Sequence, residues 1–133
     1  MKSAQLKYSL LCDDVRIEAG NKFSLMGVFQ NIILPGFPYS IVKFAVLNHW
    51  EGHGEFETQV RILNPDHEEL VSSLQSKFVI PPQGQADNIT FFANVTFDRP
   101  GTYFLQVFLG SDMVQESLLY VQSLESGGSG AVN

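Results

Sequence analysis

NITFFANVTFDRPGTYFLQVFL, residues 88–109, decides the fold class. In its first ten residues Ile89, Phe91, Ala93, Val95 and Phe97 share one parity, and Asn88, Thr90, Asn94 and Thr96 the other. A period of two is that of a strand with one packed face and one wet face. DRPG, residues 98–101, is turn chemistry: proline presets φ and glycine accepts conformations closed to other residues. The chain resumes as a second alternating strand, with Tyr103, Leu105, Val107 and Leu109 on one face and Phe104, Gln106 and Phe108 on the other. A tyrosine just past a Pro-Gly corner, at the start of a strand, occupies the place of a tyrosine corner. There the phenol bonds back to nearby backbone, a feature of immunoglobulin-like sandwiches.

The same grammar extends in both directions. FETQVRIL, residues 56–63, places Phe56, Thr58, Val60 and Ile62 opposite Glu57, Gln59 and Arg61. Turn signals recur at AGNK (19–22), LPGFP (34–38), EGHG (51–54), NPDH (64–67), PPQGQ (81–85) and GSD (110–112). They delimit strands over 5–12, 15–18, 22–33, 40–50, 55–63, 69–80, 88–97, 102–109 and 113–122, with no sustained helical stripe. Short strands with turns about every ten residues predict an all-β, immunoglobulin-like antiparallel β-sandwich of eight or nine strands, essentially without helix. Trp50, ending the apolar run IVKFAVLNHW, is the expected core tryptophan. Residues 1–123 are expected to form the one domain, and the Gly/Ser-rich 124–133 a flexible tail.

Composition narrows the function classes. A chain of 133 residues with 44% hydrophobic residues and eleven Phe can bury a core unaided. One cysteine excludes an internal disulfide and fits a reducing compartment. The formal charge of −6, with eight scattered Lys and Arg, disfavours nucleic acid and anionic membranes as partners. MKSAQLKYSLLC imitates a lipoprotein signal, but Lys7 interrupts the apolar stretch and Leu11 precedes Cys12 where a small residue is needed. The expected location is cytoplasmic.

Three stretches are candidate sites. In CDDVRIE (12–18), Asp13, Asp14 and Glu18 are possible ligands for a hard cation. Adjacent strand residues face opposite ways, so a structural role for these carboxylates, paired with Arg16 or Lys22, is favoured. Cys12 shares the parity of Tyr8 and Leu10 and is expected to be an inert buried thiol. HWEGHGE (49–55) spaces His49 and His53 by four, but Gly52 and Gly54 forbid the helix that would pair them on zinc. A hairpin tip there, with Glu51, His53 and Glu55, is the remaining route to a metal. His67 falls in a turn and is expected to be solvated. Catalytic groupings and phosphate-binding loops are missing, so no catalytic, cofactor or metal residues are expected, and the N-x-T sequons at Asn88 and Asn94 carry nothing without secretion. The third stretch is apolar: Phe92, Phe104 and Phe108 fall on the face opposite the core. They form a partner-binding patch if exposed, unless a loop such as PGFP covers them.

The run L-C-D-D…G-N-K-x-S-L-x-G-V-F, with an FP soon after and a PGTYFLQV strand later, resembles a family of small, mainly bacterial proteins known only as a domain of unknown function. The likeness spans most of residues 8–122. It implies a β-sandwich and a bacterial origin, and it supplies no activity and no site residues. Under it, Cys12-Asp13 closes the first strand, Gly20-Asn21-Lys22 makes a hairpin turn and Gly27 is a close-packing position.

The leading expectation is therefore a non-enzymatic interaction module that binds a protein partner or pairs with itself as a homodimer, with no cofactor. The rival is a ligand- or metal-binding sandwich using the 49–55 tip or the 12–18 turn, and an enzyme ranks third.

Overall fold

The computed structural model describes residues 2–82 and 84–124. The residues expected to form the tail lie outside the described ones, except Leu124. Among the described residues nine strands follow one another: β1 Ser3–Glu18, β2 Lys22–Phe29, β3 Asn31–Leu34, β4 Tyr39–Leu63, β5 Glu69–Ser72, β6 Ser76–Ile80, β7 Gln85–Phe97, β8 Gly101–Leu109 and β9 Asp112–Ser123. They form an immunoglobulin-like β-sandwich. One sheet, here sheet A, runs β2-β1-β4-β7. The other, sheet B, runs β4-β8-β9-β3, with β5 and β6 along the free side of β4. All neighbours are antiparallel except β3 and β9, which run parallel.

β4 belongs to both sheets. Tyr39–Glu51 pairs with β7 and Thr58–Leu63 with β8. The expected turn at 51–54 is therefore not a turn but the point where an unbroken strand crosses from one sheet to the other. Gly52 and Gly54 make that crossing, at φ of 142° and 128°. A Cβ on Gly52 would collide with the Ser3 carbonyl oxygen, so the backbones meet there only because the side chain is missing. Sandwich corners are made this way, by strands that bend between sheets. A glycine signals a bend as readily as a hairpin, which is why the sequence reads as a turn.

Three other boundaries shift. The segments 5–12 and 15–18 are one strand, β1, with a register shift between Leu6 and Tyr8. The expected strand 22–33 breaks at Gln30, where β2 leaves sheet A and β3 joins sheet B. The expected strand 69–80 divides into β5 and β6.

The core has two parts. The larger gathers Leu11, Phe44, Val46, Ile62, Leu105 and Leu119 between the sheets. The smaller holds Trp50, Ile80 and Val107, flanked by Phe56 and Phe78. Trp50 is fully buried, as expected, but it anchors this second cluster, and its Nε1 donates to Asn88 Oδ1. Tyr103 makes the tyrosine corner: its hydroxyl donates to the Arg99 carbonyl at 2.7 Å, with Asp98 Oδ1 at 3.3 Å. Burial pushes the phenol pKa up.

Candidate functional site

The described surface that stands out is the outer face of sheet A, and register builds it. Cross-strand partners share a face. Val28 pairs with Cys12, Cys12 with Ala45, and Ala45 with Phe91, so one row spans all four strands. Leu10, Leu47 and Ile89 form the row beside it. Cys12, Ala45 and Leu47 are the buried floor, whereas Val28 and Phe91 stand 52% and 53% exposed at its two sides. Burial raises the Cys12 pKa, with the Asp13 charge adding to the effect, so the thiol stays protonated at neutral pH.

Polar rows close the face at both ends. At one, Tyr8 stacks on His49 with ring centroids 4.8 Å apart, and His49 Nδ1 lies 2.6 Å from Asp87 Oδ1. At the other, Lys43 Nζ meets Asp14 Oδ1 at 3.0 Å and lies 5.6 Å from the Phe91 ring centroid. The Lys43 ammonium, together with the Val15 N–H, holds the Asp14 carboxyl below its ordinary pKa. Between those ends no charged side chain enters the two rows.

The predicted phenylalanines lie elsewhere. Phe92 is 4% exposed and stacks on Phe44 in the main core, so the expectation of an outer-face Phe92 is corrected. The cause is a paired kink. Asn94 takes φ of 54°, and opposite it Val42 and Lys43 are both exposed in succession. Both strands change parity together and keep register, so Phe92 turns inward and Phe91 outward. Phe104 and Phe108 do lie on the outer side of β8, but both are only half-exposed. His67 stacks on Phe104 at 3.8 Å between centroids, and the Arg61 guanidinium sits 4.6 Å from the Phe108 centroid. The cover thus comes from the NPDH turn and β4, not from PGFP, and His67, exposed as expected of a turn residue, lays one face of its ring on Phe104.

The other candidates separate. Glu51, His53 and Glu55 sit along a continuous strand rather than at a tip. Asp13 and Asp14 point to opposite faces of β1: Asp14 reaches Lys43, and Asp13 lies against Gly27, where a Cβ would strike its carboxylate. Gly27, at φ of 67°, is indeed a close-packing position. Among the described residues no three His, Cys, Asp or Glu side chains come together as a metal site. No described helix is long and apolar enough to cross a membrane.

Comparison with known proteins places the chain. A family model described as "Family of unknown function (DUF6941)" matches residues 7–122. The chain belongs to this family. No curated protein matches it. Among solved structures it is similar to β-glucosidase from Listeria innocua, with a TM-score of 0.55 and 10% identity over 91% of this chain but only 16% of that one. It is also similar to the Pseudomonas fluorescens alkylpurine DNA glycosylase AlkC bound to DNA containing an abasic site analog, with a TM-score of 0.57 and 8% identity over 90% of this chain and 30% of that one. An immunoglobulin-like protein from Pseudomonas aeruginosa gives a TM-score of 0.44 and 14% identity, over 90% of this chain and 96% of that one. At these identities the likeness to the glucosidase and the glycosylase is one of fold. The chain spans a small part of the two enzymes, and a shared sandwich does not transfer an activity.

Proposed function

We propose that this member of the family is a non-enzymatic interaction module that pairs two copies through the outer face of sheet A and the adjoining edge strand β7. The observation that carries the reading is the pair of uncharged rows, Val28–Cys12–Ala45–Phe91 and Leu10–Leu47–Ile89, that end on β7. Among the described strands β7 pairs with β4 alone, which leaves one side of its backbone without a strand partner. Such edges invite a further strand unless charge or proline blunts them. From Asn88 to Phe97 no residue is ionisable or proline.

A second copy is the occupant that this surface suits. Two molecules of net charge −6 repel one another overall, and the repulsion is least where they meet through neutral surface. The Asn88–Phe97 edge and the rows behind it are such a surface, and a two-fold pairing would set Phe91 against its counterpart. Isologous dimers are the commonest closed assembly, and a stable one buries about 1,200–2,000 Å² in total. The non-enzymatic part of the reading rests on the lack of catalytic groupings in the sequence.

Light scattering at micromolar concentration tests the pairing. The expected result is twice the chain mass, falling to the chain mass in Phe91→Ser. A wild-type protein that stays monomeric, or a dimer that survives Phe91→Ser together with Val28→Ser, overturns this reading.

A further inference from the structure

Sheet A opens at one margin. The pairing of β1 with β4 stops at Cys12–Ala45, and past that point β1 stays with β2 while β4 stays with β7. A cleft of about 360 Å³ lies at this opening, lined by residues of β1, β2, β3 and β4. That volume suits a small organic molecule. Its floor includes Ile32 and Phe44, both buried in the main core. Phe29 and Ile41 are half-buried along its sides, and Ile33 is 53% exposed, so the cleft offers apolar surface that a ligand can reach.

Asp13 is the one charged residue among the described residues that line the cleft, and it is exposed. It shares the parity of the buried Leu11, so it stands on the inward side of β1, where the strand pattern calls for an apolar side chain. Gly27 makes room for it. That glycine lies across from Asp13 on β2, and the carboxylate occupies the space that a Cβ there would fill. The neighbouring Asp14, on the other face, has Lys43 and the Val15 N–H as partners. Among the described residues none donates a hydrogen bond to the Asp13 side chain or forms an ion pair with it. A carboxylate beside apolar walls, with no cation of its own protein on it, gains from a cation that brings an apolar body along.

We propose that this cleft binds a small organic ammonium ion, a primary amine carried on an apolar body. The ammonium donates charge-assisted hydrogen bonds to the Asp13 carboxylate, and the body packs on Phe29, Ile33 and Ile41. The Phe29 ring face also favours a cation over an anion. The net charge of −6 acts in the same direction, and no basic side chain lines the cleft to receive an anion. One copy of the chain contains the whole cleft, so binding does not depend on pairing and each proposal can fail alone.

Amide NMR titrations at neutral pH and fixed ionic strength test it. Three probes share one ring (cyclohexylamine, cyclohexanol and cyclohexanecarboxylate), and methylamine supplies the ammonium without the ring. Cyclohexylamine should give saturable shifts at Asp13, Gly27, Phe29 and Ile41. Cyclohexanol should bind at the same residues roughly tenfold more weakly, the size of one charge-assisted hydrogen bond. Cyclohexanecarboxylate and methylamine should give no saturable shift there. Asp13→Asn should weaken cyclohexylamine binding by roughly tenfold and leave cyclohexanol binding unchanged. Asp14→Asn removes the same charge from the opposite face of β1 and should leave both unchanged. The proposal is overturned by absence of saturable cyclohexylamine shifts, by equal binding of cyclohexanol, or by equal losses in the two variants. If Asp13→Asn does not fold, the comparison of amine with alcohol on the wild-type protein decides.

Discussion

β7 and β8 flank the same corner and have nearly the same alternating composition, yet one obeys its pattern and the other does not. In β8, Tyr103, Leu105 and Val107 are buried as alternation requires, because β4 and β9 hold the strand on both sides. In β7 the alternation fails at Ala93–Asn94, and the two adjacent phenylalanines exchange places. At that level, among the described residues, β4 has no hydrogen-bonded strand neighbour but β7, since the register of β1 with β4 stops at Cys12–Ala45. A two-stranded ribbon can kink without disturbing a third strand. A central strand cannot, because each added residue would break two ladders. Alternation is thus a trustworthy guide to facing where a strand is enclosed, and a weak one at a sheet margin.

The sharpest break in this comparison is a pair of truncations on β7. Phe92→Ala removes a core ring and should cost about 3–5 kcal/mol. Phe91→Ala removes one that is exposed in the single copy and, measured below the concentration at which copies pair, should cost less than about 1 kcal/mol, most of it from the lost contact with the Lys43 ammonium. Chemical denaturation of both variants checks the order. Equal costs, or the reverse order, would mean that the alternation read from the sequence holds along the whole of β7 after all.

That exchange also marks how far the sequence can be read. The period of two, the tyrosine corner and the burial of Trp50 are local facts, and residues 88–109 with IVKFAVLNHW are enough to state them. The crossing at Gly52 and Gly54 is not local. It depends on Ser3, some fifty positions away, coming close enough to exclude a side chain. The Val28–Cys12–Ala45–Phe91 row is less legible still, because it requires the register of four strands at once and a parity change that one Asn introduces. A hint does exist: asparagine tolerates left-handed backbone far better than its neighbours, so an Asn inside a run of β-formers is a place to suspect a kink. Ser9 and Asn48 similarly read as ordinary strand polar residues until pairing sets them side by side facing the core.

The kink itself can be challenged with a smaller effect. Asn94→Val places a β-branched residue at φ of 54° and should cost about 1–2 kcal/mol, whereas Asn94→Gly should be nearly neutral. Thermal unfolding of the two variants checks it. If valine is the better tolerated, residue 94 is ordinary extended strand and the explanation for Phe92 fails. The matching substitution in the enclosed strand, Gln106→Val, has no left-handed backbone to strain.

The smallest expected effect concerns what ties the ribbon to the rest of the sheet. Beyond Cys12–Ala45 the backbones of β1 and β4 part, and the Asp14–Lys43 ion pair is a side-chain bridge across the gap. Its partner and the Val15 N–H lower the Asp14 pKa in the folded state from the ordinary 3.8. A depressed folded pKa means the unfolded chain binds the proton more readily, so this contribution is fully present above the unfolded value and is lost as pH falls through the folded one. Because Asp14 is exposed and salt screens the pair, the effect should be slight and should shrink further at high ionic strength. Asp14→Asn should therefore flatten the acid limb of the stability profile below about pH 4 at low salt and leave neutral stability almost unchanged. Lys43→Met should flatten it in part, since it removes the other half of the pair and leaves the Val15 N–H on the carboxylate. An acid limb that keeps its slope in both variants would show that the ribbon is held by packing alone, with Phe44 against Phe92, and that the charge at its margin has no part in keeping Phe91 on the outer face.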